Sequence, residues 1–113
     1  MDSILTSIKK LIGIAEDYTQ FDADIIMHIN SVFMSLNQLG VGPTAGFSIA
    51  DKSKTWKDYL GSDEVKLEAV KSYIYLKVRL MFDPPASSVV VEAIERNRAE
   101  LEWRILNQVE GGE

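Results

Sequence analysis

Apolar side chains recur along this chain mostly at three- and four-residue intervals, the period of a helix buried on one face. Ile4, Leu5, Ile8, Leu11 and Ile12 form the first such stripe, with Thr6, Ser7, Lys9 and Lys10 off it. Asp2 or Ser3 can cap this helix, which runs from Ser3 to Leu11 or Ile12, and Gly13 suits a left-handed end residue. A helix so short is marginal alone and must dock on something. Ile14 to Gln20 reads as a connection. A second helix is predicted from Asp22, as its N-cap, to Leu39, with Asp24 in the first turn and Phe21 stapled to Ile26. Its stripe is Ile25, Ile29, Val32, Phe33, Leu36 and Leu39, and Met27 and Met34 widen the apolar surface. Such breadth predicts burial on two sides, within the domain or against another copy, and makes this the central helix.

Three glycines and a proline between Gly40 and Gly46 end that pattern, and Gly40 to Ser53 is the one long irregular stretch. Within it Phe47-Ser48-Ile49 alternates as a short strand, or half of a small hairpin, would. A short helix follows from Thr55 to Leu60, closed by Gly61, with Trp56 and Leu60 turned inward. Ser62 caps a third long helix with Asp63 and Glu64 in its first turn. Val65, Ala69, Tyr73, Leu76 and Leu80 form its stripe, flanked by Val70, Ile74, Lys77 and Met81. Proline cannot continue a helix, so Asp83-Pro84-Pro85 is a hard break at which the chain turns back. The last helix starts at Ser87 or Ser88 and runs to Gln108. Its inner stripe is Val90, Ile94, Leu101 and Ile105, interrupted at Asn97. Glu92/Arg96 and Glu100/Arg104 are spaced to pair along it. The expected architecture is all-α: one domain over residues 1–113, a small bundle of about four to five helices, and a frayed end at 109–113.

Composition changes this picture mainly by exclusion. The chain is 46% hydrophobic and 26% charged, an ordinary globular balance rather than that of a disordered segment. A net charge of −5 argues against general nucleic-acid binding, which is mostly electrostatic. Without cysteine there is no disulfide framework, thiolate metal site or cysteine nucleophile. No apolar run approaches the roughly 18 residues of a spanning helix. The start, Met1-Asp2-Ser3, carries an acid where a secretory signal carries basic residues, which predicts synthesis in the cytoplasm and no membrane partner. Charge is uneven: residues 1–47 carry two basic and five acidic groups, 48–82 seven and five, and 83–113 three and seven. A basic middle with acidic ends can self-associate head to side.

Candidate chemistry is sparse. His28 is the lone histidine and, with no second histidine or cysteine, reads as a helix-surface or interface residue rather than a metal ligand. Asp22/Asp24 and Asp63/Glu64 are paired carboxylates at sites where capping and the helix dipole already account for them. The glycine loop follows a helix, and Phe47-Ser48 stands where a phosphate-binding loop needs Lys-Ser/Thr, so phosphate binding is rejected. Trp56, Tyr59, Tyr73, Tyr75 and Phe82 sit at helical spacing, which favours core or protein interface over a stacking platform for bases. The reading is of a non-enzyme without cofactor. From residues alone it is a helical module that binds other proteins. A small regulatory module, including a helix-turn-helix DNA-binding protein, is the alternative, although the acidic last helix argues against groove binding.

The order of elements also resembles the head–tail connector (adaptor) proteins of tailed bacteriophages and prophages. The resemblance spans most of the chain. It rests on the short first helix, FDADIIMHINSVFMSLNQLG, the glycine-rich loop, TWKDYLGSDEVKLEAVKSYIYLKVRLMFDPP and the helix after it. It implies a structural protein of the virion, made in the host cytoplasm and placed at the head–tail interface. Its expected partners are the portal protein, a stopper or tail-completion protein, and copies of itself in a dodecameric ring. DNA would pass through the channel without specific contact. Under that reading Ile25, Ile29, Val32, Phe33, Leu36, Tyr73, Leu76 and Leu80 form the core, and the 40–53 loop makes contacts through Phe47 and Ile49. The last helix would offer Glu92, Arg96, Glu100, Trp103 and Arg104 to a portal or neighbour. Trp103 reads equally well as packed on the inner stripe.

Overall fold

Five helices form where apolar spacing and local capping place them, in a computed structural model that describes residues 3–61, 64–82, 84 and 86–111. They are α1 (Ile4–Leu11), α2 (Asp22–Gln38), α3 (Trp56–Leu60), α4 (Glu64–Phe82) and α5 (Ser88–Gly111). Ser3 caps α1, its hydroxyl accepting the Thr6 amide. Thr55 caps α3 in a reciprocal box with Asp58, and Gly61 ends it at φ 66°. The expected cap of α4 at Ser62 and Asp63, Asp2 at the N-terminus, and Asp83 and Pro85 of the break lie outside the described residues, as do the last two positions of the expected frayed end. The backbone of α5 is helical to Gly111.

The core is one cluster drawn from all five helices, with Val41 and Ile49 added from the long loop. Its centre differs from expectation. α4, not α2, is the central helix: it packs against α1, α2, α3 and α5. Its buried line is Val70, Tyr73, Ile74 and Val78, so Leu76 and Leu80 are only half-buried. Five of the eight expected core residues lie on α2, and these are buried with Tyr73. α4 ends at Phe82, α5 begins at Ser88, and the Tyr73 hydroxyl donates to Glu102 at 3.1 Å. The pair is thus an antiparallel hairpin across the proline break.

Polar residues tie the irregular segments to this core. Lys9, expected off the stripe, is only 2% exposed. Its Nζ donates to the carbonyls of Glu16 (3.0 Å) and Tyr18 (2.7 Å) and pairs with Asp22 at 2.8 Å. An ammonium has three donors, and here each has an oxygen. This corrects the expected role of Asp22. It sits inside the first turn of α2 with its carboxylate turned to Lys9, and Phe21 occupies the N-cap without a side-chain cap bond. The Phe21 ring meets Tyr18 at a tilt and Phe82 edge-on, at 5.7 and 5.4 Å between centroids. Ser7, also expected outside, is buried because its Oγ accepts Trp56 Nε1 at 3.1 Å and donates to the Ser3 carbonyl at 2.7 Å. Leu11, expected inside, is exposed at the end of α1.

The expected hairpin at 47–49 does not form; among the described residues the only β-type pairing is an isolated bridge between Ser3 and Thr55. Asn30 supplies the partner that a neighbouring strand would have. Its Oδ1 accepts the Ile49 amide at 2.8 Å and its Nδ2 donates to the Ile49 carbonyl at 2.9 Å. The loop also passes close over α3: at Gly42, with φ 84°, an added Cβ would lie 2.5 Å from Tyr59 Cε1. Only glycine fits that approach.

Two stability predictions follow from these contacts. Lys9→Ala leaves Asp22 and the Glu16 and Tyr18 carbonyls without their shared donor and should cost about 3 kcal/mol in a urea titration. Asn30→Ala should cost about 2 kcal/mol and raise amide exchange at Ile49 before the helices open. Unchanged exchange at Ile49 would sink that second expectation.

Candidate protein interface

The last helix presents two different sides. Its inner line is Ile94, Arg98, Leu101 and Ile105, spaced four, three and four, rather than a line through Val90, which is exposed. Arg98 fills the gap that Asn97 seemed to leave. It pairs with Glu95 at 3.1 Å and Glu102 at 2.8 Å, while Glu102 also accepts the Tyr73 hydroxyl. Sequence reasoning missed this network, although continuing the four-three spacing past Ile94 arrives at Arg98. Burial and the Glu102 carboxylate push the Tyr73 hydroxyl up to about 12.

The outer side of α5 holds the candidate site residues. Glu92, Arg96, Glu100, Trp103 and Arg104 are all exposed, Trp103 at 65%. That exposure decides between the two readings of Trp103: it does not pack on the inner stripe. Arg104 pairs with Glu100 at 2.6 Å, one of the two expected pairs. Among the described residues Glu92 and Arg96 do not meet at salt-bridge distance. Asn107 Nδ2 donates to the Trp103 carbonyl at 2.8 Å, closing the turn beneath the indole. Val89 is exposed at the start of the same side.

The loop residues fare differently. Phe47 is half-buried, its ring against Phe33 (5.2 Å) and Tyr59 (5.0 Å). Ile49 is 4% exposed and belongs to the core, held there by Asn30, so it offers no surface to a partner in this fold. What lies open instead is the outer side of α2, where Met27 and Met34 are 61% and 69% exposed. Their predicted second burial is therefore absent within the domain. Beside them runs a shallow groove bordered by Ile26, Asn30 and Phe47.

Other polar groups are accounted for locally. His28 is half-buried with its ring 6.5 Å from that of Phe82. Trp56, Tyr59 and Tyr73 are core, which leaves no row of aromatic faces for bases. Hydrogen bonds from Ser53 hold the Asp51 carboxyl below the usual range, and those from Thr55 do the same for Asp58. Among the described residues no three of His, Asp and Glu gather to hold a metal ion. No helix there is long and apolar enough to cross a membrane.

The fold and its surfaces define a small all-α domain with two open helix faces. A protein-family model described as "Phage connector protein" matches residues 4–112, and the chain belongs to that family. It is a phage connector-type structural protein, a component of the virion. No curated protein and no solved structure matches it.

The raised Tyr73 value has a signed consequence. An acid whose folded-state value lies above its ordinary value of about 10 stabilises the fold fully below that pH and loses the contribution as pH rises toward 12. Stability measured from pH 9 to 12 should therefore fall in the wild type (roughly that span, from the ordinary and shifted values). In Tyr73→Phe, less stable at neutral pH, the fall should be shallower; equal slopes would remove Tyr73 from this role.

Proposed function

We propose that copies of this chain assemble as a ring beneath the portal at the capsid vertex and join the DNA-filled head to a stopper or tail-completion protein. The ring is dodecameric, to match the portal, and continues the channel through which DNA passes. Assembly takes place in the host cytoplasm, and the finished ring sits at the head–tail interface. The observation that carries this reading is the family match over residues 4–112, joined by an exposed tryptophan on the outer face of the terminal helix. Exposed aromatic anchors of this kind dominate many protein interfaces. A net charge of −5 suits a passage along which DNA slides without sticking. The chemistry required is packing and docking, with no catalytic group or cofactor.

Sedimentation of the purified chain across a concentration series, alone and with portal rings, tests the proposal. The expected result is a ring-sized species, or a stoichiometric layer on the portal. A strict monomer that ignores portal rings overturns it, and tight duplex binding at low salt would favour a DNA-binding module instead. Trp103→Ala should leave the unfolding free energy within about 0.5 kcal/mol of wild type and weaken assembly roughly ten-fold or more. Unchanged assembly removes Trp103 from the interface.

A further inference from the structure

The outer side of α2 is unlike the rest of the surface. From Ile25 to Ala50 the chain carries no Asp, Glu, Lys or Arg, although 26% of all its residues are charged. Apart from Asp24, which flanks the first turn, the exposed residues of that helix form one line, Ala23, Met27, Ser31, Met34 and Gln38, spaced four, four, three and four. Exposed methionines in a field without charge are the composition of an interface centre rather than of a solvated face. On α5, which is exposed over more of its circumference, one exposed line read in reverse is Asn107, Trp103, Ala99, Arg96 and Glu92, also spaced four, four, three and four. Each line covers about 22 Å of helix, and each has a small residue, Ser31 or Ala99, at its middle.

We infer that the outer face of α2 is covered by the outer face of α5 from a second copy of this chain, the two helices running antiparallel. In that register Trp103 lies over Met27 and enters the groove beside Phe47. Ser31 meets Ala99, where two small side chains let the backbones approach. The stem of Arg96 lies along Met34, and Glu92 reaches Gln38. The pairing buries no net charge, because the α2 line has none and the α5 line carries one carboxylate and one guanidinium four residues apart. Those two groups do not meet at salt-bridge distance in the free domain, so either can turn to the rim when the face is covered.

The occupant is a copy because both halves belong to one chain, on two helices, α2 and α5, that each pack against α4, and because the uncharged α2 line faces an α5 line whose one carboxylate and one guanidinium cancel. A contact between unlike faces is heterologous: each copy leaves one face open for the next, and the series closes when the rotation permits. The inference rests on the ring reading above and names the surfaces that build the ring.

The absence of native cysteine makes the test direct. Ser31→Cys and Ala99→Cys are prepared as single variants, with exposed Lys57→Cys as the control off both faces. Under mild oxidation the mixture of Ser31→Cys with Ala99→Cys should yield a disulfide dimer, and the double variant should yield a ladder of higher species. Neither single variant should link to itself, and the control should link to neither. Adding Met27→Glu should reduce the mixed product roughly ten-fold or more. Self-linking of Ser31→Cys, or equal linking by the control, overturns the pairing. A ring seen by sedimentation without the mixed product overturns the pairing and leaves the ring reading intact. A monomer throughout, with portal rings present as well, and no mixed product overturns both.

Discussion

The fold depends on α4, against which every other helix of the domain packs. α1 has eight residues and α3 five, too short to hold together in water by hydrogen bonding alone. The α2 helix hides its buried line against α1 and α4, and α5 makes its main contact with α4. The constraint this places on α4 is chemical. It must be apolar around much of its circumference, and Val70, Tyr73, Ile74 and Val78 are sealed while Tyr75, Leu76 and Leu80 are covered in part. Where α5 crosses, a polar group enters, and there Tyr73, Glu102 and Arg98 satisfy one another.

Around that spine, a few buried polar side chains do the work that a sheet or a disulfide does elsewhere. Lys9 gathers the α1–α2 connection onto a single ammonium, and Asn30 pins the 39–55 segment by pairing with both backbone groups of Ile49. The Trp56–Ser7–Ser3 chain fastens α3 to the start of α1, reinforced by the Ile4 amide on the Lys54 carbonyl at 3.0 Å. Each bond is directional, so these loops are held in one arrangement although their sequences have no regular period. The result is a rigid frame for two helix faces that nothing within the domain covers.

In the proposed ring, those two faces connect the fold to a structural role. A connector-type protein transmits position rather than chemistry, and position requires surfaces that keep their shape until a neighbour arrives. The α2 face is neutral and rich in methionine. The α5 face carries charges of both signs around one tryptophan. Their difference in character favours contacts between unlike faces over a two-fold pair.

The amino-acid sequence by itself determined the five helices and most of their ends, because periodicity, caps and glycines act over three or four residues. It also determined the buried line of α2, the proline break and the charged outer side of α5. Tertiary structure alone decided that α4 is the centre and that Lys9 and Ser7 are inside. It also decided that Asp22 serves Lys9 rather than its own helix, that Ile49 is core, and that Val90 and Leu11 are outside. The reason is common to all of these. A polar side chain is buried when partners from distant segments converge on it, and an apolar one is left out when no neighbour reaches it. Neither condition can be read from the residue's own surroundings in the chain.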